Sequence, residues 1–282
     1  MPCCWSRYAG LLKLSVTRII INSGFILNST LILKNIKYET LMSIIKELLR
    51  IIFPPKCIFC GETMQIDADL AICRGCAFKA PFFMHDYLMG DSGETHAKYN
   101  DRETPAKRCD RVICALRYTG VAKRAIRRFK FSNKPEYGRT LGAILAEKVA
   151  RVEGVGSFGV VTAVPISENR ERARGYNQAA ILAGYVAMHL GVGFEAGLLS
   201  MDKGSQRQSG LSNVERIRNA MSKFMPNEDK ISLVTGKSVL LIDDISTTLS
   251  TINACAAILK ECGALSVVGA VAASGLTEKA IW

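Results

Sequence analysis

The chain has 282 residues, of which 49% are hydrophobic and 22% are charged, and its formal net charge is +12. This composition provides a real apolar core for one or two domains and excludes a mostly disordered chain. The positive charge favours anionic partners such as phosphates, nucleic acid or a membrane surface.

The first 41 residues contain a loosely apolar stretch, 19–33, that asparagine, serine and threonine residues interrupt. A membrane span needs roughly 20 predominantly apolar residues, and no cleavage site typical of a signal peptide follows. We therefore expect no stable membrane span. Our interpretation is that 1–41 is an N-terminal extension and that Met42 is the natural start; a short membrane anchor is the alternative.

Two Cys-x-x-Cys pairs lie within 42–85, after a short apolar helix that Pro54 and Pro55 end. Two such hairpins present four thiolates to one ion, and a tetrahedral shell of four sulfurs suits structural Zn²⁺. The alternatives are two redox dithiols or coincidence, but a redox pair is expected beside a thioredoxin-like βαβ pattern, which this segment lacks. The predicted ligands of this small zinc ribbon are Cys57, Cys60, Cys73 and Cys76.

The remaining cysteines are scattered through apolar sequence, as expected for small core residues in a reducing cytoplasm. A polar stretch at 86–109 follows the ribbon and is predicted to be a linker. The segment 107–139 then holds eleven Lys or Arg residues against two acids. It is either a solvated helix face or a surface for an anionic ligand such as DNA.

From residue 110 to 282, apolar runs alternate with segments of helical spacing. The strand near 112–118 has alternating apolar residues, typical of a half-buried strand, whereas the later apolar runs are continuous. Strands followed by helices predict an α/β fold, a parallel sheet flanked by helices. Ligands bind such sheets at the carboxyl ends of the strands, so we expect the site in the loops after residues 164 and 243. The predicted strands are 112–118, 158–164, 239–243 and 266–272, and the predicted helices are near 121–129, 141–149, 177–190 and 252–259.

The loop after 243 begins with two adjacent acids, Asp243 and Asp244, at the end of a buried strand. Hydroxyl side chains and a helix start follow, and backbone N–H groups at a helix start bind anions. The acids suit sugar hydroxyls, so one segment can bind a phosphorylated sugar at both ends. The alternative is a capped helix after a buried strand. The hydroxyl residues of this loop are Thr247, Thr248, Ser250 and Thr251.

This segment resembles the ribose-phosphate motif of type I phosphoribosyltransferases, in which two acids precede Thr-Thr-Gly-x-Thr. The resemblance implies that Asp243 and Asp244 hold the ribose hydroxyls, that 247–251 hold the 5-phosphate, and that Mg²⁺ binds with phosphoribosyl diphosphate. Leu249 stands where the family has glycine. If that position requires a positive φ, a leucine costs about 1–2 kcal/mol there.

The wider pattern resembles the ComF family of competence-associated proteins, which combine a zinc ribbon with this transferase domain. The shared features include Phe-Pro-Pro before the first cysteine pair, a Lys130-Phe131 pair, and a motif that begins with Arg174. The other matched positions of the motifs are Gly175, Tyr176, Asn177, Gln178, Gln208, Arg216 and Asn219.

The resemblance also implies that the loop after 164 contacts the diphosphate. Arginine pairs with phosphate in a two-pronged geometry, although a solvated helix start is the alternative for the first two arginines. The polar stretch at 206–219 is either a lid or an ordinary surface loop. The residues of the predicted diphosphate loop are Pro165, Arg170, Arg172 and Arg174.

Two functions compete. The first is a phosphoribosyltransferase linked by resemblance to competence and DNA uptake, with an acceptor that the sequence does not identify. The second is a non-catalytic module that senses a nucleotide-like ligand, or binds single-stranded DNA or a DNA-uptake protein. The intact acid pair favours the first function, whereas Leu249 and the basic stretch at 107–139 favour the second.

Overall fold

A computed structural model describes residues 52–65, 68–83, 109–152, 157–201 and 223–276, and positions 40, 43–45 and 48. The predicted extension at 1–41 and linker at 86–109 lie outside these residues except for positions 40 and 109. Of the described positions of the predicted helix at 42–53, residues 43–45, 48 and 52 are helical, whereas Phe53 lies in a bend. Gln208, Arg216 and Asn219 also lie outside the described residues.

The centre of the fold is a four-stranded sheet in which every pairing is parallel. Its strands are β1 (Arg111–Arg117), β2 (Val160–Ala163), β5 (Ser238–Ser246) and β6 (Ser266–Ser274), and β3 (Leu199–Met201) pairs separately with β4 (Phe224–Pro226). The order across the sheet is β1, β6, β5, β2. The four predicted strands and the parallel sheet are therefore confirmed.

The prediction that the first strand is half-buried is wrong. The five central residues of β1 are all buried, because apolar clusters cover both faces of the sheet. The outer edge of β1 is also covered, since Phe83 donates its N–H to the carbonyl of Ala115 (3.0 Å) and Arg117 donates to that of Pro81 (2.8 Å). The chain that follows the second cysteine pair thus lies along this edge.

Helices cover both faces of the sheet. Beyond the helical positions named above, they are α1 (Arg74–Lys79), α2 (Gly120–Phe131), α3 (Tyr137–Arg151), α4 (Glu168–Arg174), α5 (Gln178–Leu190) and α6 (Ser250–Glu261). Four of them, α2, α3, α5 and α6, match the predicted positions. α3 and α5 pack against each other on one face, and α6 packs on the other. In the part of the chain that the structure describes, no helix is long and apolar enough to cross a membrane.

The close packing of α3 on α5 depends on two glycines. A Cβ atom on Gly138 would lie 2.3 Å from Cγ2 of Ile181, and one on Gly142 would lie 2.6 Å from Cβ of Tyr185. Because both distances are too short for real contacts, larger residues would force the helices apart. This contact fixes the N-terminal end of α3, which lies next to the end of α2.

Candidate functional site

The four cysteines of the two Cys-x-x-Cys pairs come together in one cluster. Their sulfur atoms all lie within 4.8 Å of one another, and Sγ of Cys60 is 3.7 Å from Sγ of Cys73. A tetrahedral ion with metal–sulfur bonds of about 2.3 Å separates its sulfurs by about 3.8 Å. The cluster therefore has the geometry to hold one metal ion.

Backbone N–H groups point at the sulfurs of this cluster. Cys73 donates its N–H to Sγ of Cys57 (3.3 Å), and Cys76 donates to Sγ of Cys73 (3.4 Å). Burial opposes ionisation of Cys57, but the backbone N–H groups of Cys60, Cys73 and Phe59 together lower the pKa of Cys57 to about 7. Burial and the neighbouring thiols raise the pKa of Cys76. A bound cation would offset this rise in the pKa of Cys76, because metal ligation favours the thiolate.

The first cysteine pair is anchored to the α/β domain by two arginines of α2. The guanidinium of Arg128 donates to the carbonyls of Ile58 (2.8 Å), Cys60 (3.1 Å) and Cys57 (3.4 Å). Arg124 donates to the carbonyl of Phe59 (3.3 Å). This anchoring role of the two arginines was not predicted, although their i,i+4 spacing places them on one helix face.

The two acids lie at the carboxyl end of β5, one of the two predicted positions for a site. Successive residues of a strand point to opposite faces of the sheet, so Asp243 and Asp244 point apart. Asp243 accepts the N–H of Asp244 on Oδ1 (2.7 Å). The nearly buried Asp244 carboxylate lies 2.9 Å from the ammonium of Lys130 at the end of α2. Lys130 therefore supplies a cation that offsets the adjacent acids.

The electrostatic setting of Asp243 disfavours its charge. Burial removes the carboxylate from water, and the neighbouring Asp244 adds repulsion. Together they raise the pKa of Asp243 to about 8, although the N–H of Asp244 and the charge of Lys130 act in the opposite direction. In the ligand-free protein, Asp243 therefore ionises less readily than an ordinary aspartate.

This raised pKa predicts that stability depends on pH. In the unfolded chain an aspartate ionises at about 3.9, whereas Asp243 in the folded protein holds its proton to about 8. The folded state binds more protons between these values, so stability should fall as pH rises from about 4 to about 8. Asp243→Asn should flatten this slope in urea unfolding measured at several pH values, whereas the exposed Asp229→Asn should leave it unchanged. An unchanged slope in Asp243→Asn would contradict the assignment.

The loop between β5 and α6 exposes hydroxyl groups around a helix start. Thr247, Thr248 and Thr251 are exposed, and the hydroxyls of Thr248 and Ser250 lie 2.8 Å apart. α6 begins at Ser250, and its N-cap residue, Leu249, has no polar side chain to cap the first N–H groups. These N–H groups and hydroxyls suit an anion such as phosphate.

Leu249 has φ 58° and ψ −2°, the left-handed conformation that favours glycine. The position does require a positive φ, so the energetic cost expected for a leucine there applies to Leu249. Its side chain is only 7% exposed and packs in the apolar cluster on the α6 face of the sheet. Its N–H donates to Oγ of Ser246 (3.1 Å). The leucine thus anchors the loop with its side chain in the core, away from the exposed hydroxyls.

The predicted diphosphate loop after β2 forms the short helix α4, in which no residue is buried. Pro165 precedes it and is partly buried, and Arg170 is exposed. Arg172 donates to Oδ1 of Asn169 (2.9 Å), and Arg174 donates to Oε1 of Gln178 (2.8 Å). Two of the three arginines thus have local partners in this structure.

The motif that follows Arg174 joins α4 to α5. Gly175 ends α4 with φ 80°. The hydroxyl of Tyr176 donates to the carbonyl of Phe129 in α2. Asn177 caps α5 by accepting two backbone N–H groups, and its Nδ2 donates to the carbonyl of Val164 (3.1 Å). The motif therefore fixes how the loop after β2 meets the end of α2.

Curated relatives match most of the chain. Competence protein F of Haemophilus influenzae is 26% identical over 220 residues, which cover 74% of this chain and 92% of the relative. Competence protein ComFC of Streptococcus pneumoniae is 27% identical over 236 residues, 75% of this chain and 96% of the relative. DNA utilization protein YhgH of Salmonella typhi is 27% identical over 161 residues, 56% of this chain and 69% of the relative. No family model matches the chain.

Solved structures of phosphoribosyl enzymes show weaker similarity. Glutamine phosphoribosylpyrophosphate amidotransferase from B. subtilis superposes with a TM-score of 0.33 at 23% identity, over 50% of this chain and 26% of that one. The purine phosphoribosyltransferase from Pyrococcus horikoshii superposes with a TM-score of 0.29 at 14% identity, over 48% of this chain and 80% of that one. The match thus spans about a quarter of the amidotransferase chain.

Proposed function

Because these competence proteins support a place for the chain in the ComF family, we propose that it binds phosphoribosyl diphosphate with Mg²⁺ and transfers the phosphoribosyl group to a nucleophilic acceptor. The proposal includes a cytoplasmic role in DNA uptake or use. The observation that supports it is the segment from Asp243 to Thr251, where an acid pair at a strand end precedes exposed hydroxyls and a helix start.

Each end of the ligand has a matching group in this segment. The carboxylates of Asp243 and Asp244 accept hydrogen bonds from the ribose hydroxyls. The 5-phosphate binds the hydroxyls of 247–251 and the first N–H groups of α6, where the helix dipole favours negative charge. Pro165 and the arginines of α4 lie in the loop that we assign to the diphosphate. Mg²⁺ bound together with this ligand would offset the charge of the diphosphate as it leaves.

The proposed reaction breaks the bond between C1 of the ribose and the diphosphate oxygen. The diphosphate leaves with the electron pair, and a lone pair of the acceptor forms the new bond to C1. The protein contributes by positioning the sugar and by stabilising the charge on the leaving group. The ribbon is proposed to hold one structural Zn²⁺ through Cys57, Cys60, Cys73 and Cys76, since four thiolates suit this ion.

Substitution of Asp244 tests the binding step directly. The natural protein should bind phosphoribosyl diphosphate in calorimetric titrations with Mg²⁺. Asp244→Asn should weaken binding by about 10- to 100-fold, because a hydrogen bond to a charged group contributes about 1.5–3 kcal/mol. The exposed Asp229→Asn removes the same charge and should leave the affinity unchanged. Equal affinities for the natural protein and Asp244→Asn would contradict the assignment of the ribose site.

A non-catalytic binding module is the rival function, and two observations favour it. Lys130 already occupies the Asp244 carboxylate that a ribose would need. Leu249, and not glycine, stands at the left-handed position of the loop proposed for the 5-phosphate. If the folded natural protein binds no sugar phosphate in the same titrations, the rival replaces the transferase. Binding accompanied by diphosphate release with a candidate acceptor supports the transferase instead.

A further inference from the structure

The end of α2 is held in place by the loop that follows β2. Tyr176 donates its hydroxyl proton to the carbonyl of Phe129. Two residues later, the ring of Phe131 lies 5.7 Å from the guanidinium carbon of Arg174. Lys130 stands between these two contacts. Its backbone position is therefore set by the same motif that joins α4 to α5.

Lys130 lies at the boundary between the acid pair and solvent. Its Nζ is 2.9 Å from Oδ2 of Asp244, and the two side chains are 16% and 9% exposed. The carboxylate is thus nearly buried, whereas the ammonium keeps some access to solvent. A lysine has a flexible four-carbon stem, so its charge can move while the helix stays in place.

The arginines predicted for the diphosphate are placed differently. Arg170 is exposed on a helix without buried residues, Arg172 contacts Asn169, and Arg174 contacts Gln178. Lys130, by contrast, is a cation in direct contact with Asp244 of the acid pair. A charge in this position also meets a ligand that binds to Asp244.

We propose that Lys130 is a diphosphate-binding residue that changes partner when the ligand binds. In the free protein its ammonium pairs with Asp244. Ribose hydroxyls then take over the carboxylate, and Lys130 turns to an oxygen of the diphosphate. The exchange keeps the buried carboxylate hydrogen-bonded in both states, which avoids the large cost of an unpaired buried charge. This inference rests on the proposed function, because it assumes binding of phosphoribosyl diphosphate.

Through this exchange, Lys130 makes the protein prefer a ligand that carries a diphosphate on C1. Calorimetric titrations with Mg²⁺ should therefore compare phosphoribosyl diphosphate with ribose 5-phosphate, which lacks that group. Lys130→Met should lower the affinity for the diphosphate ligand by about 10- to 100-fold, as expected for a charged hydrogen bond. Its affinity for ribose 5-phosphate should change by less than about threefold. Lys123→Met, which removes an exposed lysine of the same helix, should change neither affinity.

A second pair of variants guards against loss of the fold, because Lys130→Met leaves the Asp244 carboxylate without its cation. The double variant Lys130→Met, Asp244→Asn removes both charges, and its reference is Asp244→Asn alone. The affinity for phosphoribosyl diphosphate divided by the affinity for ribose 5-phosphate should be lower in the double variant than in Asp244→Asn. Circular dichroism and urea unfolding check that each protein is folded.

The outcomes separate this inference from the proposed function. If Lys130→Met weakens both ligands equally and the double variant keeps the ratio of its reference, Lys130 only positions Asp244 and the exchange is wrong. That result leaves phosphoribosyl diphosphate binding intact. If the folded natural protein binds neither ligand, the proposed function fails, and the exchange fails with it.

Discussion

Replacing Leu249 with alanine should destabilise the protein by about 2–4 kcal/mol, because its buried side chain is lost from the core. Replacing it with glycine should destabilise the protein by about 1–2 kcal/mol less than replacing it with alanine. Both variants lose the same packing, but only glycine relieves the left-handed φ of 58°. At ordinary positions the order is reversed, since glycine is then less stable than alanine by roughly 0.5–1 kcal/mol. Urea unfolding of the two variants measures the difference.

Leu259 is a matched control for this experiment. It lies within α6, ten residues after Leu249, and its side chain is fully buried. It has an ordinary helical backbone, so Leu259→Gly should be less stable than Leu259→Ala. If glycine is also the worse substitution at 249, the backbone conformation carries no cost there and the leucine acts only through packing.

Removing the proposed Zn²⁺ from the four-cysteine cluster should lower the free energy of unfolding by about 3–5 kcal/mol, or the melting temperature by roughly 10 °C. The expected size follows from how the first cysteine pair is buried. Ile58 and Phe59 are fully buried in the same apolar cluster as α2 and α3. Loss of the ion frees the cysteine pair, and with it the carbonyls that Arg128 holds.

Two cysteine variants make this prediction specific to the cluster. Cys73→Ser removes one ligand, whereas Cys262→Ser removes a similarly part-buried thiol outside the cluster. Elemental analysis of protein purified without added zinc should find one Zn²⁺ per chain in the natural protein and in Cys262→Ser. Cys73→Ser should lose metal and stability together. A folded, reduced natural protein without metal would show that the cluster is held by packing alone.

Local patterns in the sequence were enough to predict the sheet and the cysteine cluster. Continuous apolar runs predicted β2, β5 and β6, and the spacing of two cysteine pairs predicted four sulfurs within reach of one ion. The pairing of β3 with β4 was missed, because each strand has only three residues and β4 ends at Pro226. The short α1 was missed as well, since its N-cap is Cys73 rather than a usual capping residue.

The contacts between distant segments were beyond sequence reasoning. Lys130 was noticed as part of a motif, but its ion pair with Asp244 depends on how α2 ends over the sheet. The motif after Arg174 was noted as a feature shared with the ComF family, and the structure gives its residues a structural use. Tyr176 donates a hydrogen bond to the backbone carbonyl of Phe129, and Asn177 donates one to that of Val164. Such contacts follow from tertiary packing, which a pattern along one segment does not contain.

The covered edges of the sheet bear on how the protein avoids aggregation. An open edge strand offers unpaired N–H and carbonyl groups to another chain. Here the segment 81–83 lies along β1, and at β2 the N–H of Val161 donates to the carbonyl of Gly193 while its carbonyl accepts the N–H of Glu195. Because 81–83 directly follows the cysteine cluster, a chain shortened to begin after the ribbon would expose β1 to other molecules. The segment that follows the cysteine cluster thereby covers an edge that would otherwise be open to pairing with another chain.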